Sequence, residues 1–214
     1  MSASERESRP GPGEVLASGA PATPRQAASV ILLRGLGELE LLLVRRTPQA
    51  RFMGGVWVFP GGAVDAGEQG GDDAHRAAAA RELAEEAAVE LGSEPELVAF
   101  SRWITPAAVA IRYDTHFFLA LLPPGQQPRV DGRECVDLGW FTPAAALAAF
   151  EREEIHLVFP TIKHLQQLSE FTTGAELLEH ARGREVLPVE PRVVMEGEVA
   201  RILLPGEPGY ESTT

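Results

Sequence analysis

The stretch from Phe59 to Ala87, FPGGAVDAGEQGGDDAHRAAAARELAEEA, constrains the fold more than any other part of this chain. The short apolar run VWVFP that leads into it reads as a strand, stopped at Pro60-Gly61-Gly62, where glycine readily takes the backbone angles of a sharp turn. From about Asp72 to Leu91, alanines and glutamates of high helix propensity predict a helix. Asp72 and Asp73 suit its first turn through capping and the helix dipole. On that helix Glu82, Glu85 and Glu86 lie three and four residues apart, along one stripe. The like-charge pair Glu82 and Glu86 costs roughly a few tenths of a kcal/mol in an isolated helix. A solvated acidic face is one reading. The other is a site for a hard divalent cation, which takes oxygen ligands and bridges to substrate phosphates. Arg81, four residues before Glu85, can hold one of the carboxylates in place.

The segments around this stretch predict a mixed α/β architecture. AASVILLRGLGELELLLVRR, from Ala27 to Arg46, places two apolar β-type runs around GLGE and reads as a hairpin. Strands follow at about Leu97–Trp103, His116–Leu122 and Val136–Phe141. The proline after Phe141-Thr142 suits the first turn of a short helix, PAAALAAF. Helical segments near Thr161–Ser169 and Gly174–Ala181 precede two strand-like runs, RVVME and ARILLPG. The order fits a mixed sheet with helices on both faces, an α/β/α sandwich. Residues 1–26 lack an apolar core segment and read as a disordered tail. Residues 27–210 then form a single domain, with an elaboration from about 155 to 210.

Composition narrows the partners. A formal charge of −12 over 214 residues argues against nucleic acid or an anionic membrane surface. A phosphate-bearing ligand therefore needs local arginines or metal ions. Lys163 is the single lysine, and arginine is the better residue for forked phosphate contacts. Cys135, the single cysteine, excludes an internal disulfide and reads as a structural thiol. No run approaches the roughly 18 apolar residues of a membrane span. A cytoplasmic protein is expected.

GGAVDAGE followed by RELAEEAAV resembles the signature of the Nudix hydrolases, and identifies the site residues by position. Gly62 and Glu68 match its first half; Arg81, Glu82, Leu83, Glu85, Glu86 and Val89 match the second. Two departures stand out. Gln69 to Ala80 are twelve residues where the pattern has seven, and Ala88 takes the usual glycine position, so that helix termination shifts toward Gly92. The resemblance implies Mg²⁺ or Mn²⁺ held by Glu82, Glu85 and Glu86 with the Gly62 carbonyl, polarising a diphosphate and activating water. It implies one more carboxylate on the loop before the last core strand, with Glu134 the first candidate for ligand or general base and Asp131 the second.

Upstream, LLLVRRTPQARFMGGVWVFPGG resembles the coenzyme A motif of CoA diphosphatases, on Leu42, Leu43, Arg46, Thr47, Arg51, Gly55 and Phe59 to Gly62. Val44 departs, at a usual threonine position. Arg46 and Arg51 can give forked contacts to phosphate, and Gly61 and Gly62 form the turn that receives the diphosphate. With WITPAAVAIRYDTHFFLALLP and RILLPGEPGY, the chain is similar to the peroxisomal-type CoA diphosphatase branch and its bacterial relatives. RYDTHFF brings Arg112, Asp114 or His116 into consideration beside the substrate. The implied reaction is metal-dependent hydrolysis of CoA or acyl-CoA to 3′,5′-ADP and (acyl-)phosphopantetheine. Two alternatives stay open: a Nudix diphosphatase acting on ADP-ribose, NADH or another nucleotide, and a non-catalytic ligand sensor. The expected partner is a small nucleotide diphosphate, with a homodimer left open.

Overall fold

A computed structural model describes residues 16–17, 19–50, 53–67, 71–93, 95–196 and 199–211 of the chain. Apolar residues at alternate positions drive its strands, because successive side chains point to opposite faces. In β1 (Arg25–Leu33), Ala28, Val30 and Leu32 face one layer while Ile31 and Leu33 face the other. β2 (Leu41–Arg46) repeats the pattern, with Leu42 and Val44 on the first side and Leu41 and Leu43 on the second. Both strands are buried on both faces, which requires helices above and below.

The remaining strands are β3 (Trp57–Val58), β4 (Gly61–Ala63), β5 (Val98–Ile104), β6 (Tyr113–Leu121), β7 (Cys135–Phe141), β8 (Pro188–Val189), β9 (Arg192–Glu196) and β10 (Val199–Leu203). The sheet runs β3-β2-β1-β6-β5-β8, with β4 also paired to β1 and β7 to β2. β1 and β6 are parallel along their whole length, from Arg25 opposite Tyr113 to Leu33 opposite Leu121. β2 with β7 and β5 with β6 are antiparallel, so the sheet is mixed. β9 and β10 form a separate hairpin.

Helix α1 (Asp72–Ala87) covers one face through Ala78, Ala79, Leu83 and Ala87, small side chains that let it lie close to the sheet. On the other face lie α2 (Pro143–Glu151), α3 (Phe159–Leu168) and α4 (Gly174–Ala181). Their Ala149, Phe150, Ile162, Leu165, Leu168 and Leu177 close the second core over Ile31, Leu33, Leu41 and Leu43. The α/β/α architecture expected from the sequence is the one observed.

Details differ. α1 stops at Ala87 rather than near Leu91 or Gly92: Ala88 takes the left-handed conformation, φ 53°, and its N–H donates to the Ala84 carbonyl. The N-cap is Gly71, φ 68°, with no side-chain cap, so Asp72 and Asp73 favour the helix through its dipole and not by capping. The Gly61–Ala63 turn is itself a strand, because its backbone pairs with Ala27, Ala28 and Ser29. Arg25 and Gln26 belong to β1, and Leu16 bridges to Val109, so part of the stretch expected to be tail pairs with the domain. Residues 1–15 and 18 lie outside the described residues.

Candidate active site

β4 and α1 meet where glycine is demanded by contact. A Cβ on Gly62 would overlap the Glu82 carboxylate, and one on Gly61 would collide with the backbone of Ala28 and Ser29. The turn residues and the glutamates therefore form one unit. The Gly61 N–H donates to Glu86 Oε2 at 3.0 Å. Arg46, at the end of β2, reaches Glu86 Oε1 at 3.6 Å. Arg81 fastens the arrangement from the other side: its guanidinium donates to Glu82 Oε1 at 2.8 Å, to Glu85 Oε2 at 3.1 Å and to the Ala63 carbonyl at 3.0 Å. The expected pairing of Arg81 with Glu85 is present, and Glu82 shares it.

The three glutamates are not equivalent. Glu86 is buried, Glu82 mostly so, and the Glu85 side chain is 60% exposed. Burial pushes Glu86 up to about 7, against the Gly61 N–H and Arg46, which favour its charged form. Burial likewise raises Glu82, with Arg81 opposing and Glu85 and Glu134 reinforcing the rise. Glu86 Oε1 is a buried oxygen with no hydrogen-bond partner. Two desolvated carboxylates with an orphaned oxygen are short of positive charge, and an all-oxygen donor set suits a hard divalent cation. The residues present thus fit Mg²⁺ or Mn²⁺.

All of these groups but Arg81 and Glu85 line a cavity of about 400 Å³. Arg46, Gly61, Gly62, Glu82, Glu86 and Glu134 contribute its polar wall, and Trp103, Val109, Phe117, Phe159, Val193 and Ile202 are among its apolar residues. Glu134 is carried by the loop before β7, whose carbonyl accepts from Thr47 N–H at 2.8 Å. Asp131, the second candidate for that role, does different work. Its carboxylate accepts the backbone N–H groups of Arg133, Glu134 and Cys135, which offset the effect of burial and hold it below the usual range. It shapes the loop that presents Glu134. Arg51 and Glu68 lie outside the described residues.

Arg112, Asp114 and His116 are not beside the cavity. Alternation along β6 turns Tyr113, Thr115 and Phe117 into it, while Asp114 pairs with Arg102 at 2.7 Å and His116 stacks on His75, under the start of α1. Arg112 is buried, donating to the carbonyls of Thr105 and Ala22 and to Glu190, where it ties the segments before β1 and after β8 to the sheet. Period-two alternation from Phe117 was the available signal for Tyr113 and Thr115. Val193 and Ile202, from the C-terminal hairpin, had no signal in the sequence. Cys135 is buried beside Glu86, and burial pushes its thiol up, as expected of a packing residue.

The sequence profile of the NUDIX domain matches residues 23–161, more than half of the chain. This chain belongs to the NUDIX domain family. A solved NUDIX hydrolase from Alicyclobacillus acidocaldarius superposes with a TM-score of 0.66 over 74% of this chain and 96% of that one, at 24% identity, and so shares the fold. A MutT NUDIX hydrolase from Burkholderia pseudomallei superposes with a TM-score of 0.51 over 68% of this chain and 98% of that one, at 26% identity. Human acyl-coenzyme A diphosphatase NUDT19 is 31% identical over 118 residues, 52% of this chain. That match spans 31% of the human protein's length. These relatives are hydrolases by name. Nudix hydrolases use divalent metal ions. Among the described residues no helix is long and apolar enough to cross a membrane.

Proposed function

We propose that this Nudix domain hydrolyses the diphosphate of CoA or an acyl-CoA, giving 3′,5′-ADP and (acyl-)phosphopantetheine in the cytoplasm. One observation carries the reading: a single cavity joins Glu82, Glu86, Glu134, Arg46 and the glycine turn to a wide apolar wall of Trp103, Val109, Phe117, Phe159, Val193 and Ile202. A diphosphate with a long, weakly polar arm has use for both. The similarity to human acyl-coenzyme A diphosphatase NUDT19 supports the same substrate class.

Glu82, Glu85 and Glu86, with the Gly62 carbonyl, would hold Mg²⁺ or Mn²⁺. When bound there, the ion would supply Lewis acidity that neutralises diphosphate charge and lowers the pKa of water. Arg81 keeps Glu82 and Glu85 oriented through its fork and ties them to the Ala63 carbonyl. Arg46 offers a guanidinium to the diphosphate, and Arg51 is assigned the same task from the sequence. Gly61 and Gly62 let phosphate oxygens approach the backbone. Glu134, on its fixed loop, takes the proton of the attacking water. Hydrolysis breaks one P–O bond of the diphosphate and leaves the water oxygen on one of the two phosphate products.

The test is steady-state hydrolysis of CoA and a medium-chain acyl-CoA with Mg²⁺. Glu85→Gln should lower kcat by at least about 100-fold, and Trp103→Ala should raise KM for the acyl-CoA more than for CoA. An unchanged rate in Glu85→Gln would sink the metal assignment. Equal KM effects would remove the acyl arm from the apolar wall.

A further inference from the structure

The start of α1 and β6 carry a second set of metal-ligating side chains. Asp72 and His75, in the first turn of α1, and His116, on β6, each offer a ligand atom, and these atoms lie within 4.8 Å of one another. No other trio of His, Cys, Asp or Glu among the described residues does so. The two imidazoles lie nearly parallel, centroids 3.9 Å apart and planes 23° apart. His75 is buried, His116 half-buried and Asp72 exposed, so the cluster is reached from solvent past Asp72.

The hydrogen bonds of His75 fix its ring between the start of α1 and β1. Its Nδ1 lies 3.0 Å from the Gly71 carbonyl oxygen, which only accepts, so Nδ1 donates to it. Fixing a ligating histidine through a carbonyl on its other nitrogen is a recurrent feature of metal centres. Nε2 in turn lies 2.9 Å from Oε1 of Gln26, whose amide nitrogen donates to Asp114 Oδ2 at 3.3 Å. Bonds of about 2.0–2.2 Å to a single ion place neighbouring donor atoms about 3–3.5 Å apart. The nearby positive charge of Arg102 is taken up by its forked pair with Asp114, at 2.8 and 2.7 Å.

We propose that Asp72, His75 and His116, with Gln26 Oε1 as a further ligand, bind a zinc-class transition-metal ion at a site separate from the glutamates. Two imidazoles with oxygen donors suit Zn²⁺, Ni²⁺ or Cu²⁺ rather than Mg²⁺. The ion fastens the first turn of α1, which has no side-chain cap, to β1 and β6. It thereby sets where the helix bearing Glu82, Glu85 and Glu86 begins.

The experiment is calorimetric titration of the chelator-treated full chain with Zn²⁺ in excess Mg²⁺, followed by thermal melts and Co²⁺ absorption spectra. One Zn²⁺ per chain, a raised Tm and a visible Co²⁺ band are expected. Asp72→Asn and His116→Gln should each weaken Zn²⁺ binding at least about tenfold, while Glu82→Gln should leave it unchanged. Asp72 is exposed, so its variant decides the matter even if His116→Gln fails to fold. Absence of Zn²⁺ binding to the wild type, or equal binding in Asp72→Asn, overturns the proposal. So does loss of binding in Glu82→Gln, which would place the ion at the glutamates.

Discussion

Replacing Glu86 by glutamine should stabilise the fold while abolishing activity. Glu86 is 3% exposed, with one oxygen on the Gly61 N–H and the other without a hydrogen bond. Burial raises its carboxyl from an ordinary 4.5 to about 7. Below 4.5 the group is protonated folded or unfolded, and the shift has no effect on stability. Between 4.5 and about 7 the folded chain holds a proton that the unfolded chain has released, so stability falls as pH rises; above about 7 the full loss persists. At about 1.4 kcal/mol per pH unit, the gap between 4.5 and about 7 amounts to about 3 kcal/mol. Glutamine keeps the shape and the acceptor for Gly61 without the charge, at the expense of Arg46, whose partner is 3.6 Å away. The net gain expected at pH 8 is about 1–3 kcal/mol, shrinking below about 1 kcal/mol at pH 5. Urea unfolding of both proteins in EDTA at the two pH values measures it. A Glu86→Gln variant less stable at pH 8, or a difference that ignores pH, would refute the reasoning.

Three further outcomes follow from the same contacts. Gly62→Ala should displace the Glu82 carboxylate, which Arg81 clamps from the other side, and lower kcat by about 100-fold with little change in the far-UV spectrum. Ala88→Gly should relieve the left-handed residue that ends α1 and stabilise the chain by about 1 kcal/mol, read as a Tm increase of roughly 2–4 °C. Leu165→Ala, at a fully buried position beneath the sheet, should cost about 2–5 kcal/mol in urea unfolding without altering KM.

Much of the architecture was legible because it rests on local chemistry. Alternating apolar residues set β1 and β2, Pro143 after Thr142 set the start of α2, and the residue spacing on α1 aligned Glu82, Glu85 and Glu86. The end of α1 was not legible: propensity extends the helix past Ala88, whereas in the structure the chain turns there through a left-handed residue, and Arg129 N–H takes the Ala87 carbonyl. Asp131 and Glu134 looked alike as loop acids, and only folding shows that backbone amides consume Asp131. Arg112, Asp114 and His116 were drawn toward the substrate by their company in RYDTHFF. Strand alternation sends Asp114 and His116 to the other face, while Arg112 joins distant segments. The apolar wall draws on β5, β6, α3 and the C-terminal hairpin, which no local pattern links. The same is true of the meeting of His75 with His116.

The most direct measurement incubates the purified chain with CoA, an acyl-CoA, ADP-ribose and NADH in turn, with Mg²⁺ or Mn²⁺, and identifies the products by mass. Preferential release of 3′,5′-ADP and (acyl-)phosphopantetheine from CoA or acyl-CoA, abolished by EDTA, is the predicted result. Faster cleavage of ADP-ribose or NADH, or tight nucleotide binding with no cleavage at any metal concentration, would contradict it.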